Sequence, residues 1–422
     1  MNKIWNILWR LAVLSLPWQT RWFADASLTG WPWEQGRVSL YISWIPLVLT
    51  MIIGALLFRR GTKRPLPIRP LIALAGLFIV TIIATQLDSS ALRAVLQWWV
   101  QIGLLIGFAW TMRRSSVSWM SFAAWFVIAL IPHAALGFIQ YATQHVEGST
   151  LLGIAPHFPE TPGTSVVEHG MYRVLRIYGG FPHPNIFGGW LALGVVTSLL
   201  LAAKSEVKTR ALFPILAAPI LSVALLFTYS RSAWVAIVAG VLVLFVHLAR
   251  SKRVNQFFIL ACAASLLAIV IVGFPQRDHL LARSNMASRL ESQSVSARVE
   301  SLRSGWTVFR SHVLFGTGPN AELHALAETI SSEKTERPLE PAHNVFLLAL
   351  AELGVIGMLL LLTTIVLARV TVRPFSTVSF TLIFLVPLFV IGMLDHYPWS
   401  LWAGESLVAM GFLLGTKQDP SP

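Results

Sequence analysis

Apolar residues run through the chain in long stretches broken by short polar segments, unlike the alternation of a strand or the narrow stripe of a soluble helix. Stretches near 4–18, 39–58, 68–86, 92–112, 117–141, 185–203, 211–229, 232–250, 256–274, 343–368, 376–394 and 399–415 each predict a helix. Most reach about 18 residues, enough to cross a hydrocarbon core of about 30 Å. Lipid offers the backbone no partners, so a spanning segment must pair its own amides and carbonyls as a helix. The pattern predicts an all-α polytopic membrane protein with about 12 transmembrane helices, one integral membrane domain over residues 1–422.

Charge placement adds an orientation. Arg59, Arg60, Lys63 and Arg64 follow the second stretch, and Arg113 and Arg114 follow the fourth. Lys204, Lys208 and Arg210 follow the sixth, and Arg250, Lys252 and Arg253 the eighth. Arg369 and Arg373 follow the tenth, and Lys417 the twelfth. Basic loops stay in the cytoplasm, so both termini are expected there. Two long loops, 142–184 and 275–342, then fall outside. In the second, Val299, Leu302, Trp306 and Phe309 recur at helical spacing. They predict an amphipathic helix lying on the membrane surface or capping the bundle. The opening MNKIWNILWRLAVLSLPW has the basic start and apolar core of a signal peptide but no small-x-small cleavage site. It reads as the first membrane helix.

Composition agrees with this class. The 422 residues are 55% hydrophobic and only 12% charged, with a mean hydropathy of +0.67. A net charge of +13 would suggest nucleic acid in a soluble protein; here much of it sits in short loops and is explained by topology, so no nucleic-acid partner is expected. Seventeen Trp suit membrane interfaces. The single cysteine, Cys262, lies in an apolar run and reads as a packing residue, which excludes a disulfide framework or a Cys-rich metal site.

Candidate chemistry collects on the outer side. Arg231, in TYSRSAW, follows so short a connection that it must lie near the outer interface. It reads either as a snorkelling arginine or as a functional cation on a face where positive charge is normally depleted. His343, in EPAHNVFLLALAELGVIG, reads either as a neighbour of a helix cap, with Asn344 also able to cap, or as a general base. A helix N-terminus carries partial positive charge, which would favour neutral imidazole there. Arg298, Arg303 and Arg310 lie on the amphipathic segment, and Arg173 and Arg176 precede the turn-rich YGGFPHPNIFGGW. Asp395, beside His396 and Tyr397, reads either as a solvated loop acid or as a partner for a base or arginine. Several arginines with a histidine and few carboxylates point to an anionic substrate, since guanidinium grips phosphate with two parallel hydrogen bonds. An interfacial lipid phosphate or diphosphate fits. HEXXH, P-loop, GxSxG and DxD-like motifs are absent from the sequence, so no metal and no cofactor is expected.

TYSRSAW, SARVESLRSGWTVFRSHVLFGTGPN and AHNVFLLALAELGVIG, in this order, resemble the O-antigen ligase and polymerase superfamily, with YGGFPHPNIFGGWLALG similar to its upstream segment. The resemblance covers roughly residues 170 to 400. It implies a metal-independent, inverting glycosyltransferase of the bacterial inner membrane, its site facing the periplasm or cell exterior. The implied donor is a glycan on undecaprenyl diphosphate. The implied acceptor is a hydroxyl of lipid A-core in a ligase, or another lipid-linked repeat unit in a polymerase. By position, the resemblance makes His343 the catalytic base and Arg231 and Arg298 the diphosphate-binding pair. Arg176, Asn185, Arg303 and Asp395 are candidate supports. The shared motifs carry the chemistry common to ligase and polymerase, and the long second outer loop favours ligase over a third branch that transfers glycans to protein. A transporter or flippase for the same lipid is the alternative of another class; it would want polar residues at mid-bundle depth rather than at one interface.

Overall fold

The computed structural model describes residues 2–23, 37–58, 68–86, 88–169, 172–284, 289–330, 339–371 and 378–416. Arg59, Arg60, Lys63, Arg64, Arg373 and Lys417 of the expected basic loops lie outside the described residues. In chain order the elements begin with α1 (Asn2–Ser15), β1 (Arg21–Phe23), β2 (Ser39–Tyr41), α2 (Trp44–Phe58) and α3 (Ile68–Ala84). Next come α4 (Ser89–Arg114), α5 (Trp119–Thr143), β3 (Val166–His169), β4 (Tyr172–Leu175), α6 (Pro184–Lys204) and α7 (Lys208–Phe227). Then follow α8 (Arg231–Arg250), α9 (Gln256–Gly273), α10 (Arg277–Ser284), α11 (Arg289–Ser311) and α12 (Glu322–Ile330). The chain closes with α13 (Val345–Thr371), α14 (Val378–Leu394), α15 (Tyr397–Ser400) and α16 (Trp402–Thr416).

A helix stands at each of the twelve apolar stretches. Among the described residues, seven are long and apolar enough to cross a membrane: α4 to α9, and α13 over Val345–Ala368. Two short antiparallel hairpins, β1–β2 and β3–β4, interrupt the helical pattern. The expected amphipathic helix is α11, which exposes Val299, Leu302 and Trp306 and packs against α12 and α13.

The centre of the bundle is α6, buried from Pro184 to Ala203. Its small residues allow this. Gly188 lies against Ala233 of α8, and Gly194 against Leu130 of α5. Close approach over small residues is a main source of helix association in lipid. The Trp190 indole N–H, which would be costly in lipid, donates to Ala403 O at 2.9 Å.

The two ends of α6 differ in chemistry. At its C-terminal end Lys204 lies over the rings of Trp119 (4.6 Å) and Phe380 (4.8 Å), and Asn255 donates to Ala203 O at 3.0 Å. At its N-terminal end Asn185 meets Arg176 and Asp395. Its 21 residues separate these ends by about 30 Å.

One segment departs from the helical rule. Inside α13, Gly354 adopts φ 62° and breaks the helix. Val313–Gly318 runs alongside the break and pairs with it: Val355 N donates to Val313 O (2.8 Å), Ile356 N to Leu314 O (3.1 Å), Thr317 N to Ala351 O (3.2 Å) and Gly318 N to Glu352 O (2.8 Å). Helix groups freed by the break thereby find partners, the condition for irregular backbone beside a membrane helix. Glycine is required at Gly316 (φ 69°) and Gly354, because a Cβ at either would run into the backbone of the other segment.

Candidate functional site

The site is built where α6, α7, α8, α13 and α14 end or begin. His183 caps α6, its Nδ1 accepting from Asn185 N at 3.1 Å, with Pro184 at the first helical position. That cap fixes Asn185 under the end of the helix. The turn Thr228–Ser230 joins α7 to α8, with Tyr229 at φ 48° and Ser230 capping α8. It presents Thr228 O at the C-terminal end of α7 and puts Arg231 in the first turn of α8.

Arg176 is 4% exposed. Its Nε donates to Thr228 O at 2.7 Å and its Nη2 to Asn185 Oδ1 at 2.6 Å. Asn185 Nδ2 in turn donates to Asp395 Oδ2 at 2.9 Å. Asp395 is 3% exposed, so it is no solvated loop acid. Its Oδ1 accepts from His396 N at 2.9 Å and lies 3.5 Å from His343 Nδ1, in ion-pair range but without the alignment of a hydrogen bond. On the other side of the ring, His343 Nε2 meets Glu340 Oε2 at 3.0 Å. The backbone N–H of His343 donates to Ser301 Oγ of α11 at 3.3 Å. One continuous polar line therefore runs Thr228, Arg176, Asn185, Asp395, His343, Glu340.

Charge along this line is set by neighbours. Burial acts to lower the His343 pKa, but Asp395 and Glu340 outweigh it and raise the group to about 9. Burial acts to raise Asp395, but His343 and the charges of His396 and His183 hold it well below the usual carboxylate range. His396 is lowered to about 4 by burial and by His343, and His183 to about 3 by burial and Arg176. Three histidines surround Asp395, and His343 alone is held charged at neutral pH. Arg176 is pulled down to about 10 by burial, with Arg298 and Arg231 pressing the same way and Tyr178 and Asp395 opposing.

This corrects one expectation about His343. The helix cap is Asn344, whose Oδ1 accepts from Phe346 N and Leu347 N, both at 3.0 Å. His343 precedes the cap, and two carboxylates rather than the helix end decide its charge and favour its protonated form. Arg176, Asn185, Asp395 and His343 are linked by direct contacts, and Arg231 and Arg298 lie near enough for their charges to reach Arg176. Arg303 is not gathered with them. It is exposed and lines a shallow depression with Ser292, Val295, Ser296, Val299 and Glu300. Sequence reasoning passed over Glu340, although its position three residues before His343 was the available signal.

Among the described residues, His343, Asp395 and His396 offer donor atoms within 4.8 Å of one another, spacing that suits a metal ion. A cation there would have to displace the proton that Asp395 and Glu340 stabilise on His343.

A search of curated protein sequences finds no match. A family model described as O-antigen ligase matches residues 216–362. That span is narrower than the resemblance over roughly 170 to 400; it includes Arg231, Arg298, Glu340 and His343 and leaves out Arg176, Asn185 and Asp395. Residues 216–362 are thus similar to the O-antigen ligase family over about a third of the chain.

Proposed function

We propose that the protein is an inverting glycosyltransferase of the bacterial inner membrane that moves a glycan from undecaprenyl diphosphate to an acceptor hydroxyl outside the cytoplasm, as an O-antigen ligase acting on lipid A-core. The observation that carries this reading is the buried line from Arg176 through Asn185 and Asp395 to His343, beside Arg231 and Arg298.

In this reading the acceptor hydroxyl displaces Glu340 from His343 Nε2. The imidazole gives up its Nε2 proton to the departing Glu340 carboxylate, which releases it to solvent, and the freed Nε2 lone pair can then accept one. Asp395 keeps the ring oriented from Nδ1, itself held by Asn185 and Arg176. His343 takes the hydroxyl proton, and the acceptor oxygen bonds to the anomeric carbon. The bond from that carbon to the phosphate oxygen breaks, and undecaprenyl diphosphate leaves from the opposite face with inversion. Charge grows on the departing diphosphate, so Arg231 and Arg298 stabilise the transition state more than the ground state. Apolar helices hold the polyprenyl tail. The twelve helices act as twelve spans with both termini cytoplasmic, and the loops 142–184 and 275–342 lie outside.

A repeat-unit polymerase of the same superfamily would use the same residues on a different acceptor. The two separate in a deletion strain. Long glycan accumulating on undecaprenyl diphosphate marks a ligase, whereas surface glycan with a single repeat marks a polymerase. A flippase would leave neither product pattern and would be indifferent to the proton state of His343.

A further inference from the structure

Glu352 lies in α13, two residues before the break at Gly354, and is 2% exposed. An acid so placed in a membrane helix is costly unless its oxygens find donors. They are met from two sides. The Trp399 indole N–H donates to Glu352 Oε2 at 2.6 Å. The backbone amides of Asn320 and Glu322 also serve the carboxylate.

Each partner leads to one half of the site. Trp399 belongs to the short segment 395–400 that begins with Asp395 and His396. It is anchored on its far side as well, its carbonyl accepting from Trp98 Nε1 at 3.3 Å and its ring lying 5.1 Å from that of Trp98. Asn320 and Glu322 end the turn that pairs with the α13 break and start α12. From there Glu322 Oε2 accepts from Ala342 N at 3.3 Å, one residue before His343. A single buried side chain thus bridges the segment that carries Asp395 and the segment that fixes His343.

We propose that Glu352 is a positioning residue: its carboxylate ties Trp399 to the turn before α12 and so sets the spacing of Asp395 and His343. The proposal rests on reading His343 as the base. It gives a purpose to a buried acid inside a membrane helix.

The test compares Glu352→Ala, Glu352→Gln and Trp399→Phe with the wild-type protein in nanodiscs. Folded fraction is measured by size exclusion and thermal unfolding. Trp399→Phe keeps an aromatic ring and removes the N–H donor, so it should fold. Positioning predicts a fall in kcat of roughly 10- to 100-fold per folded molecule with the donor KM unchanged, since small misplacements weigh on the chemical step. Glu352→Gln should fall between wild type and alanine, because its amide oxygen still accepts from Trp399. The double variant Glu352→Ala/Trp399→Phe should lose no more than the worse single variant, since the two act as one unit. Independently of transfer, carbon-13 labelled histidine should report a lower pKa for His343 in Trp399→Phe as Asp395 moves away. That titration shift separates the proposal from the function: a shift without any wild-type glycosyl transfer keeps the positioning role and sinks the enzyme reading. Wild-type kcat in Trp399→Phe, additive losses in the double variant, or an unmoved His343 titration would each overturn the role given to Glu352.

Discussion

Asn185 Nδ2 donates to Asp395 Oδ2 at 2.9 Å, joining residues 210 positions apart in the chain. The bond locks the N-terminal end of the central helix to the end of α14. Because Asn185 also accepts from Arg176, a buried guanidinium and a buried carboxylate share one amide that satisfies both. Asp395→Asn keeps the shape and removes the charge. It should lower the His343 pKa toward the ordinary histidine range and cut transfer by roughly 100- to 10,000-fold, as loss of an orienting carboxylate does elsewhere. Histidine titration and single-turnover kinetics on the same preparation check both halves.

The pH dependence follows from the direction of the His343 shift. A base held up at about 9 in the free enzyme must lose its proton before it accepts one. The free-enzyme quantity kcat/KM should therefore climb with pH toward about 9. Glu340→Gln removes one of the two carboxylates that raise His343, so its climb should lie at lower pH. A profile already flat from neutral pH upward in both proteins would contradict the charge assignment.

Stability carries the same linkage with a definite sign. His343 is raised on folding, so its contribution is complete below an unfolded value of about 6.5 and fades as pH climbs through the folded value. Asp395 is depressed on folding, so its contribution is complete above an unfolded value of about 3.9 and is lost as pH falls. The pair should stabilise most between these limits. Thermal midpoints measured across pH should show that maximum in wild type and a flatter curve in Asp395→Asn.

Arg231→Lys tests whether this residue grips phosphate or anchors the chain at the interface. Lysine keeps the charge but not the planar fork. Loss of roughly 100-fold in transfer is expected if the side chain stabilises the leaving diphosphate. Near-wild-type transfer would make it an anchor.

Orientation is checked by cysteine labelling in a Cys262→Ala background. Single cysteines at Glu160 and Ser292, both exposed in the two long loops, should react with an impermeant reagent from outside intact cells. A cysteine at Lys252, exposed at the other end of the bundle, should not. The opposite pattern would place the site in the cytoplasm.

The helices were legible from the chain because apolar runs write themselves locally. Twelve apolar runs became twelve helices, and the short motif around Arg231 forced that residue to a helix start. What stayed hidden was long-range or backbone chemistry. The pairing of Val313–Gly318 with the α13 break leaves only glycines as its trace. The charge of His343 was misjudged because the helix end is a local signal, whereas Asp395 arrives from 52 positions away and outweighs it. Asn185 and Arg176 lie 9 positions apart, and their link to Asp395 spans 210 positions that no local pattern announces. Arg303 carried the same charge and helix as Arg298, yet the helical rotation between them points it elsewhere.

The most direct measurement is transfer from purified undecaprenyl-diphosphate glycan to lipid A-core in nanodiscs, with chelator present, for wild type and for His343→Ala. The wild-type protein should form product at a rate unchanged by chelator, and His343→Ala should lose roughly 100- to 10,000-fold while remaining folded and still binding donor. Loss of wild-type activity on chelation would make His343, Asp395 and His396 metal ligands instead. Full activity of the alanine variant, or no transfer by the wild-type protein, would contradict the proposed base and the proposed reaction respectively.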